Sequence, residues 1–404
     1  MYYERAVSKE IKEYMNYFPV LLISGARQVG KSTLCLHLNV QNYVTLDNIN
    51  TYEMAKNDPI GFLQSLQKPV IIDEIQRLPH LLVSIKEEVD KNRINGQYIL
   101  TGSANLKGFK DISETLAGRI GIVELYGLSQ KELAQKDENI IAILSSDINA
   151  LTQKEYENQD IAKKIIQGGY PEIEKIDSIK ARYLWFSSYV RTYIEADAKE
   201  LGNIRNMDAF TKMYRLSMLR SANLFNKNEI QKECGLDNKT FDSYFKVLEH
   251  TYQVSLAQPY YSNAIKRLIK SPKLFATDTG VLCHLLDIVS EDELEKSHFK
   301  GAIYETFVYG ELLKANTSAD RTANIYHYRT VDKKEIDFVL EIASKIVAIE
   351  VKCAKSVNIG DFKHILNLRE NTKAQFDKGI VFYNGERVLR FDANLYALPF
   401  GFLC

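Results

Sequence analysis

Gly25-Ala26-Arg27-Gln28-Val29-Gly30-Lys31-Ser32, with Thr33 behind it, fits the pattern G-x-x-x-x-G-K-[ST]. Before it, Pro19-Val20-Leu21-Leu22-Ile23-Ser24 reads as a short buried parallel strand; after it, residues 32–38 read as the opening of a helix. A glycine-containing loop between a strand and a helix turns backbone N–H groups toward one point, at a helix N-terminus that already favours anions. That is a polyphosphate cradle. Lys31 is placed to reach the β- and γ-phosphates of a nucleoside triphosphate, and the Ser32 hydroxyl to bind Mg²⁺, so ATP and Mg²⁺ are the expected ligands.

The second half of the signal is Lys68-Pro69-Val70-Ile71-Ile72-Asp73-Glu74-Ile75, an apolar strand that ends in two acids. Such a strand delivers its terminal carboxylates to the sheet edge where open α/β sheets bind ligands. Asp73 is then expected to hold Mg²⁺ through water, and Glu74 to polarise the attacking water, since phosphoryl transfer needs a positioned base and little covalent help. Further strands are expected over Asn42–Asp47, Gln97–Ser103 and Ile120–Tyr126, and helices over residues 4–18 and 81–91. Arg119, just before the last of these strands, reads in two ways. It is either an arginine finger for a neighbouring subunit's γ-phosphate or a surface arginine paired with an acid at the sheet edge.

These segments resemble a prokaryotic family of AAA-type ATPases. The resemblance is carried by Gly25–Ser32, Val70–Glu74, Thr101-Gly102-Ser103 and Leu116–Arg119, and extends through Gly168-Gly169-Tyr170-Pro171 and Tyr193–Asp197. It implies a sheet in which the Asp73-Glu74 strand is not directly beside the strand that feeds the loop. It also implies a C-terminal domain of unknown function. In such ATPases a polar residue at the place of Ser103 senses the γ-phosphate, although a plain strand-to-loop transition accounts for Ser103 equally well.

Composition bounds the rest. The chain has 404 residues, enough for two or three cores, with 45% apolar residues and 52 acidic against 52 basic ones. No global charge bias points to nucleic acid or membrane. The five cysteines are scattered and lack any C-x-x-C, which fits a reducing compartment, and no apolar run approaches a membrane span. The reading is therefore cytoplasmic, with no membrane partner and a homo-oligomer as the expected assembly.

Residues 131–218 read as a helical lid or linker behind an ATPase domain over 1–130, with Arg191 one of several candidate second sensors. Over 219–285, residues 226–234 and 238–250 are two helices around a Gly235 turn, followed by a strand at 254–258, the spacing of a winged helix-turn-helix. The second helix exposes mixed charge (Lys239, Asp242, Ser243, Lys246, Glu249), whereas Lys266, Arg267, Lys270 and Lys273 make the wing the more basic part.

In residues 286–404, a helix over 301–313 carries Glu305, and strands are expected at 325–329, 335–341 and 345–352. Glu350 and Lys352 are two apart and share a strand face. A turn centred on Ala343-Ser344 sets Asp337 opposite Glu350, and like charges so placed want a cation between them. Glu305, Asp337, Glu350 and Lys352 match, in order and context, the pattern of PD-(D/E)xK nucleases. That resemblance implies a restriction-endonuclease-like α/β domain with a metal at Asp337 and Glu350 and phosphodiester hydrolysis as its chemistry. The alternative is a salt-bridged cluster in a binding domain. The whole is read as an α/β chain: a P-loop ATPase acting as switch or motor, with nucleic acid the candidate partner of its C-terminal domain. The competing readings are an ATP-dependent oligomeric regulatory scaffold and an ATP-gated nuclease.

Overall fold

The computed structural model describes residues 2–103, 116–152, 154–157, 160–194, 204–261, 271–330, 332–372 and 375–404. The chain divides into two units, residues 1–127 with 246–253, and residues 128–245 with 254–404. Among the described residues no helix is long and apolar enough to cross a membrane, and all five cysteines are free thiols.

The first unit is built on a five-stranded, wholly parallel sheet: β1 (Val20–Ser24), β2 (Asn42–Thr45), β3 (Val70–Asp73), β4 (Tyr98–Gly102) and β5 (Ile120–Glu124). Runs of Val, Ile and Leu without alternation suit strands covered on both faces. Accordingly every residue of β1, β3 and β4 is buried, whereas the edge strand β5 alternates between buried and half-buried. The order β2-β3-β4-β1-β5 places β4 between β1 and β3, with Leu100 paired to Leu22 on one side and to Ile72 on the other. The separation implied by the family resemblance is thus present. One face of the sheet packs Leu22, Val70, Ile72 and Leu100 against Leu81, Leu82, Ile85 and Val89 of the helix Leu81–Lys91. The strand expected to end in Asp73-Glu74 stops one residue sooner, at Asp73. Glu74 takes a left-handed backbone (φ 59°) and turns the chain into the 3₁₀ helix Ile75–Arg77.

The second unit carries a mixed nine-stranded sheet. Its strands are β6 (Asn223–Leu224), β7 (Val254–Pro259), β8 (Lys273–Ala276), β9 (Asn324–Arg329), β10 (Glu335–Ile342), β11 (Lys345–Lys352), β12 (Phe376–Tyr383), β13 (Leu389–Asp392) and β14 (Leu395–Pro399). The order is β13-β14-β12-β11-β10-β9-β7-β8-β6. β10 and β11 form a hairpin whose two turn residues, Ala343 and Ser344, both have positive φ (46° and 67°), and Phe338 pairs with Ile349. Continuing that ladder by one pair sets Asp337 opposite Glu350, as the turn position predicts. The helix Lys300–Asn316 carries Glu305. Ile336, Val339, Ala348 and Val381 pack on Phe362, Ile365 and Leu368 on one side of the sheet.

Helices Lys227–Cys234 and Asn238–His250 flank the Gly235 turn, and the second buries Phe241, Tyr244, Phe245 and Leu248. β7 and β8 then run antiparallel, but both belong to the nine-stranded sheet. Of the basic residues expected on the wing, Lys266, Arg267 and Lys270 lie outside the described residues, as do Glu195–Asp197. Lys273 corrects the expectation: it is 2% exposed and adds nothing to a basic surface. The Gly168–Pro171 break has a local cause. The half-buried Asp278 carboxylate accepts N–H bonds from Gly169 (2.8 Å) and Val281 (3.0 Å), and Tyr170 donates its hydroxyl to Tyr189 at 2.8 Å.

Phe338 is fully buried, with ring centroids 5.6 Å from Phe275 and 5.9 Å from Tyr309. Phe338→Ala is expected to destabilise the second unit by about 3–5 kcal/mol through lost burial and the cavity left behind. Trp185, the single tryptophan of the chain, lies in that unit, so denaturant titration followed by its fluorescence reads the loss directly.

Candidate functional site

The loop between β1 and the helix Lys31–Leu36 is shaped by two glycines. A Cβ on Gly25 would lie 2.0 Å from the carbonyl oxygen of Leu125, so only glycine lets the loop lie this close to the chain leaving β5. Gly30 caps the helix at φ 96°, a conformation other residues adopt at a cost. Ala26 and Val29 are buried, Arg27 is half-buried, and Gln28 and Thr33 are exposed at the loop surface. The Lys31 ammonium is folded back onto the loop, donating to the carbonyls of Gly25 (2.9 Å) and Ala26 (2.8 Å). Arg5, which the sequence patterns did not single out, braces the loop from behind. Its buried guanidinium donates to Val29 O at 2.9 Å and to Tyr126 O at 2.7 Å.

Asp73, at the end of β3, is the centre of the site. It is 4% exposed, and a buried carboxylate is stable only when its lone pairs are satisfied. Ser32 Oγ donates to its Oδ2 at 2.9 Å, and the Tyr43 hydroxyl donates to the same oxygen. Thr101 Oγ1 donates to Oδ1, which also accepts the Glu74 N–H at 3.2 Å. Tyr43 is not singled out by the sequence patterns, and Thr101 enters them only as part of the family motif, with no role of its own. Their signal lies in the register: Thr101 follows the pair Ile72–Leu100 and so stands beside Asp73, and Tyr43 is on β2, the other neighbour of β3.

Glu74 stands next along the chain. Burial raises its carboxyl above the ordinary glutamate range, while a hydrogen bond from Gln76 and the Lys31 charge pull it back. Gln76 Nε2 donates both to Glu74 Oε2 and, at 3.0 Å, to Ser103 Oγ. The side chains of Glu74 and Ser103 are therefore joined through one amide. Arg119 is not brought to this site. It lies at the opposite end of the sheet, where its backbone carbonyl accepts the Val20 N–H, and its Nε donates to Asp90 Oδ1 at 2.5 Å. Arg191 is exposed on the π-helical turn Val190–Ile194 of the other unit.

This architecture matches known proteins in segments. Residues 17–134 match the model of the AAA domain. The chain carries an AAA-type P-loop ATPase domain. Beyond it, residues 158–292 and 300–403 match two domains of unknown function, DUF8612 and DUF4143. Uncharacterized proteins of Mycobacterium tuberculosis and Mycobacterium bovis are each 26% identical over 358 residues, which is 88% of this chain and 75% of theirs. An uncharacterized protein of Haemophilus influenzae is 24% identical over 386 residues, 88% of this chain and 87% of its own. Among solved structures, the Walker-type ATPase of Pyrococcus abyssi covers 70% of this chain and 96% of its own at 16% identity, with a TM-score of 0.41. AMPPCP-bound DnaA from Aquifex aeolicus covers 60% of this chain and 84% of its own at 12% identity, with a TM-score of 0.28. Both scores fall below the range of a shared overall fold.

In the second unit two residues of the nuclease-like pattern, Glu305 and Asp337, meet a lysine that the pattern does not include. Lys273 Nζ lies 2.5 Å from Glu305 Oε1, 3.1 Å from Glu335 Oε1 and 3.6 Å from Asp337 Oδ1. Burial pulls the Lys273 ammonium toward neutrality, but Glu305, Asp337 and Glu335 outweigh it and hold its pKa above the ordinary lysine range. Asp337 Oδ2 accepts the Val351 N–H at 2.8 Å. Glu350 is pushed up to about 8 by burial and then by Asp337, with Lys352 opposing from 3.5 Å. Among the described residues no group of three or more His, Cys, Asp or Glu side chains is placed to hold a metal ion. Lys273 and Glu335 were missed as parts of this cluster. Lys273 sits far along the chain from the hairpin, and a lysine beside wing residues reads locally as surface charge.

Removing the Gln76 amide removes a contact that favours ionised Glu74. Gln76→Ala is therefore expected to move the acid limb of the kcat–pH profile for ATP hydrolysis upward and to lower kcat near neutrality by about tenfold, less than the roughly 100- to 10,000-fold a general base contributes in full, because Glu74 itself stays in place. ATP affinity should stay within about twofold of wild type, because Gln76 lies on the Glu74 side of the site. A fall in affinity with an unmoved pH profile would remove Gln76 from this role.

Proposed function

We propose that the chain is an ATP-binding, Mg²⁺-dependent ATPase that works as a switch, its nucleotide state governing what the C-terminal unit engages. The observation that carries this reading is the convergence of Lys31, Ser32, Asp73 and Glu74 at the C-terminal edge of one parallel sheet, where such sheets bind ligands. Ser32 and Asp73 fit a Mg²⁺ ion, since their oxygens already face one another at 2.9 Å. Bound there, the ion would neutralise charge on the phosphate oxygens. The chain's own residues account for the rest. Backbone N–H groups of Gly25–Ser32 bind and orient the phosphates. Lys31 exchanges the loop carbonyls for the β- and γ-phosphates. Glu74, half shielded from water, takes the proton of the attacking water, and Ser103, joined to it through Gln76, senses whether the γ-phosphate is present.

The switch reading is supported by Tyr252. Its hydroxyl lies 2.7 Å from Ser24 Oγ at the end of the loop-bearing strand, and both are buried within the first unit. Tyr252 is also two residues past the end of the helix Asn238–His250, whose earlier residues belong to the second unit. A change at the loop therefore has a covalent route into that helix. In a homo-oligomer, Arg119 is the residue that would be supplied to a neighbour's γ-phosphate, leaving Asp90 to do so. The helix pair with its following strands supports a winged-helix reading, and the Glu305, Asp337, Glu350 and Lys352 cluster supports a nuclease-like domain that engages nucleic acid.

Lys31→Ala is expected to weaken ATP binding by at least about 100-fold while leaving the circular dichroism spectrum unchanged, since an ammonium–phosphate contact is worth several kcal/mol in a shielded site. In wild type, ATP–Mg²⁺ should change Trp185 fluorescence, and Lys31→Ala should abolish the change. Unaltered ATP affinity in Lys31→Ala would sink the site assignment. A silent Trp185 in wild type with ATP bound would sink the switch. Stimulation of ATP turnover by single-stranded or duplex DNA would identify nucleic acid as the partner; its absence on both would favour the oligomeric scaffold.

A further inference from the structure

The nuclease resemblance implies a divalent metal at Asp337 and Glu350, and the residues present do not fit one. We propose instead that the acidic cluster of the nine-stranded sheet carries its own cation, the ammonium of Lys273, and takes no divalent metal while that lysine is in place.

The argument is steric and electrostatic. A divalent cation needs oxygen ligands at about 2.0–2.6 Å. Lys273 Nζ is 2.5 Å from Glu305 Oε1 and within 3.6 Å of Asp337 Oδ1, so it stands in the volume from which an ion would have to reach both carboxylates. Its side chain is 3% exposed and is enclosed by Glu305, Glu335 and Asp337, so it cannot swing into solvent as a surface lysine would. The second oxygen of Asp337 is committed to the Val351 N–H at 2.8 Å. Glu350 meets the Lys352 ammonium at 3.5 Å and shares a side-chain hydrogen bond with Asp337, so the two acids implied as metal ligands are joined to each other directly. Each acid of the nuclease-like pattern is thus met by an ammonium or a backbone donor of the same chain. Three separate elements, β8, the helix Lys300–Asn316 and β10, contribute to the Lys273 contacts, so the lysine also fixes their positions relative to one another. The cluster is then a structural charge network on a nuclease-like frame. It leaves the domain able to bind a partner and without metal-activated water. This inference concerns the second unit alone and stands or falls independently of the ATPase reading.

The test is Mn²⁺ uptake by the full chain without nucleotide, read from the electron paramagnetic resonance signal of free Mn²⁺. Wild type and Asp337→Asn should bind Mn²⁺ equally, since any ion held at Ser32 and Asp73 is common to both. Lys273→Met keeps the length of the side chain and removes the charge. It should bind Mn²⁺ at least about tenfold more tightly than wild type, with the gain lost in Lys273→Met/Asp337→Asn. Uptake by wild type that Asp337→Asn abolishes would overturn the proposal, and needs no variant at Lys273 that might misfold. Folded Lys273→Met with no gain in affinity would overturn it as well, because lysine would then not be what keeps the metal out.

Discussion

A carboxylate at the end of a buried strand has to be neutralised by its neighbours, and in this chain that requirement organises the nucleotide site. Asp73 is 4% exposed, and isolated burial of such a group costs several kcal/mol. Its compensating donors come from the loop helix (Ser32), from β2 (Tyr43), from β4 (Thr101) and from the backbone of Glu74. Each donor fixes a neighbour. β4 has to lie on one side of β3 and β2 on the other, and the loop helix has to begin within reach of the strand end. The sheet order β2-β3-β4-β1-β5 meets all three conditions. In the proposed ATPase reading the same acid is the one that would hold Mg²⁺ beside the phosphates, so stability and chemistry would make the same demand on one side chain.

The rule recurs twice in the second unit, with different outcomes. Asp278 is a half-buried acid whose carboxyl is pushed upward by desolvation, and the N–H groups of Gly169 and Val281 oppose that shift. The Gly168–Pro171 segment, noticed in the sequence as part of a family pattern, is thereby tied to a fixed acid, which gives it a structural role. At the β10–β11 hairpin the acids are too many for backbone donors alone, and Lys273 supplies the balancing charge. Burying an ammonium among carboxylates is tolerated only when the contacts are close, and removing one partner then leaves an uncompensated charge.

Much of this is legible in the sequence. The loop Gly25–Ser32, the acids Asp73 and Glu74, the helix Leu81–Lys91 and the strand Lys345–Lys352 follow from local patterns. Backbone period and turn chemistry act over a few residues, and the sequence displays them directly. The hairpin register is the clearest case. Once Ala343 and Ser344 are taken as the turn, Asp337 must oppose Glu350, because strand pairing propagates from the turn one residue at a time. Where the local pattern erred it did so at an end, as at Glu74, whose left-handed backbone stops β3.

The sequence by itself determined that the chain has a phosphate-binding loop, a paired acidic strand and a hairpin with opposed carboxylates, since each depends on neighbours along the chain. Only the tertiary structure decided which groups answer those charges: Tyr43 and Thr101 for Asp73, Gln76 between Glu74 and Ser103, Arg5 behind the loop, and Lys273 within the hairpin cluster. Charge compensation acts through space over a few ångströms and joins residues tens of positions apart. It becomes readable only when the order of the strands is known. For Gly25–Ser32 this added the partners of a site already visible. For Glu305 and Asp337 it added Lys273, a partner that the local pattern does not contain.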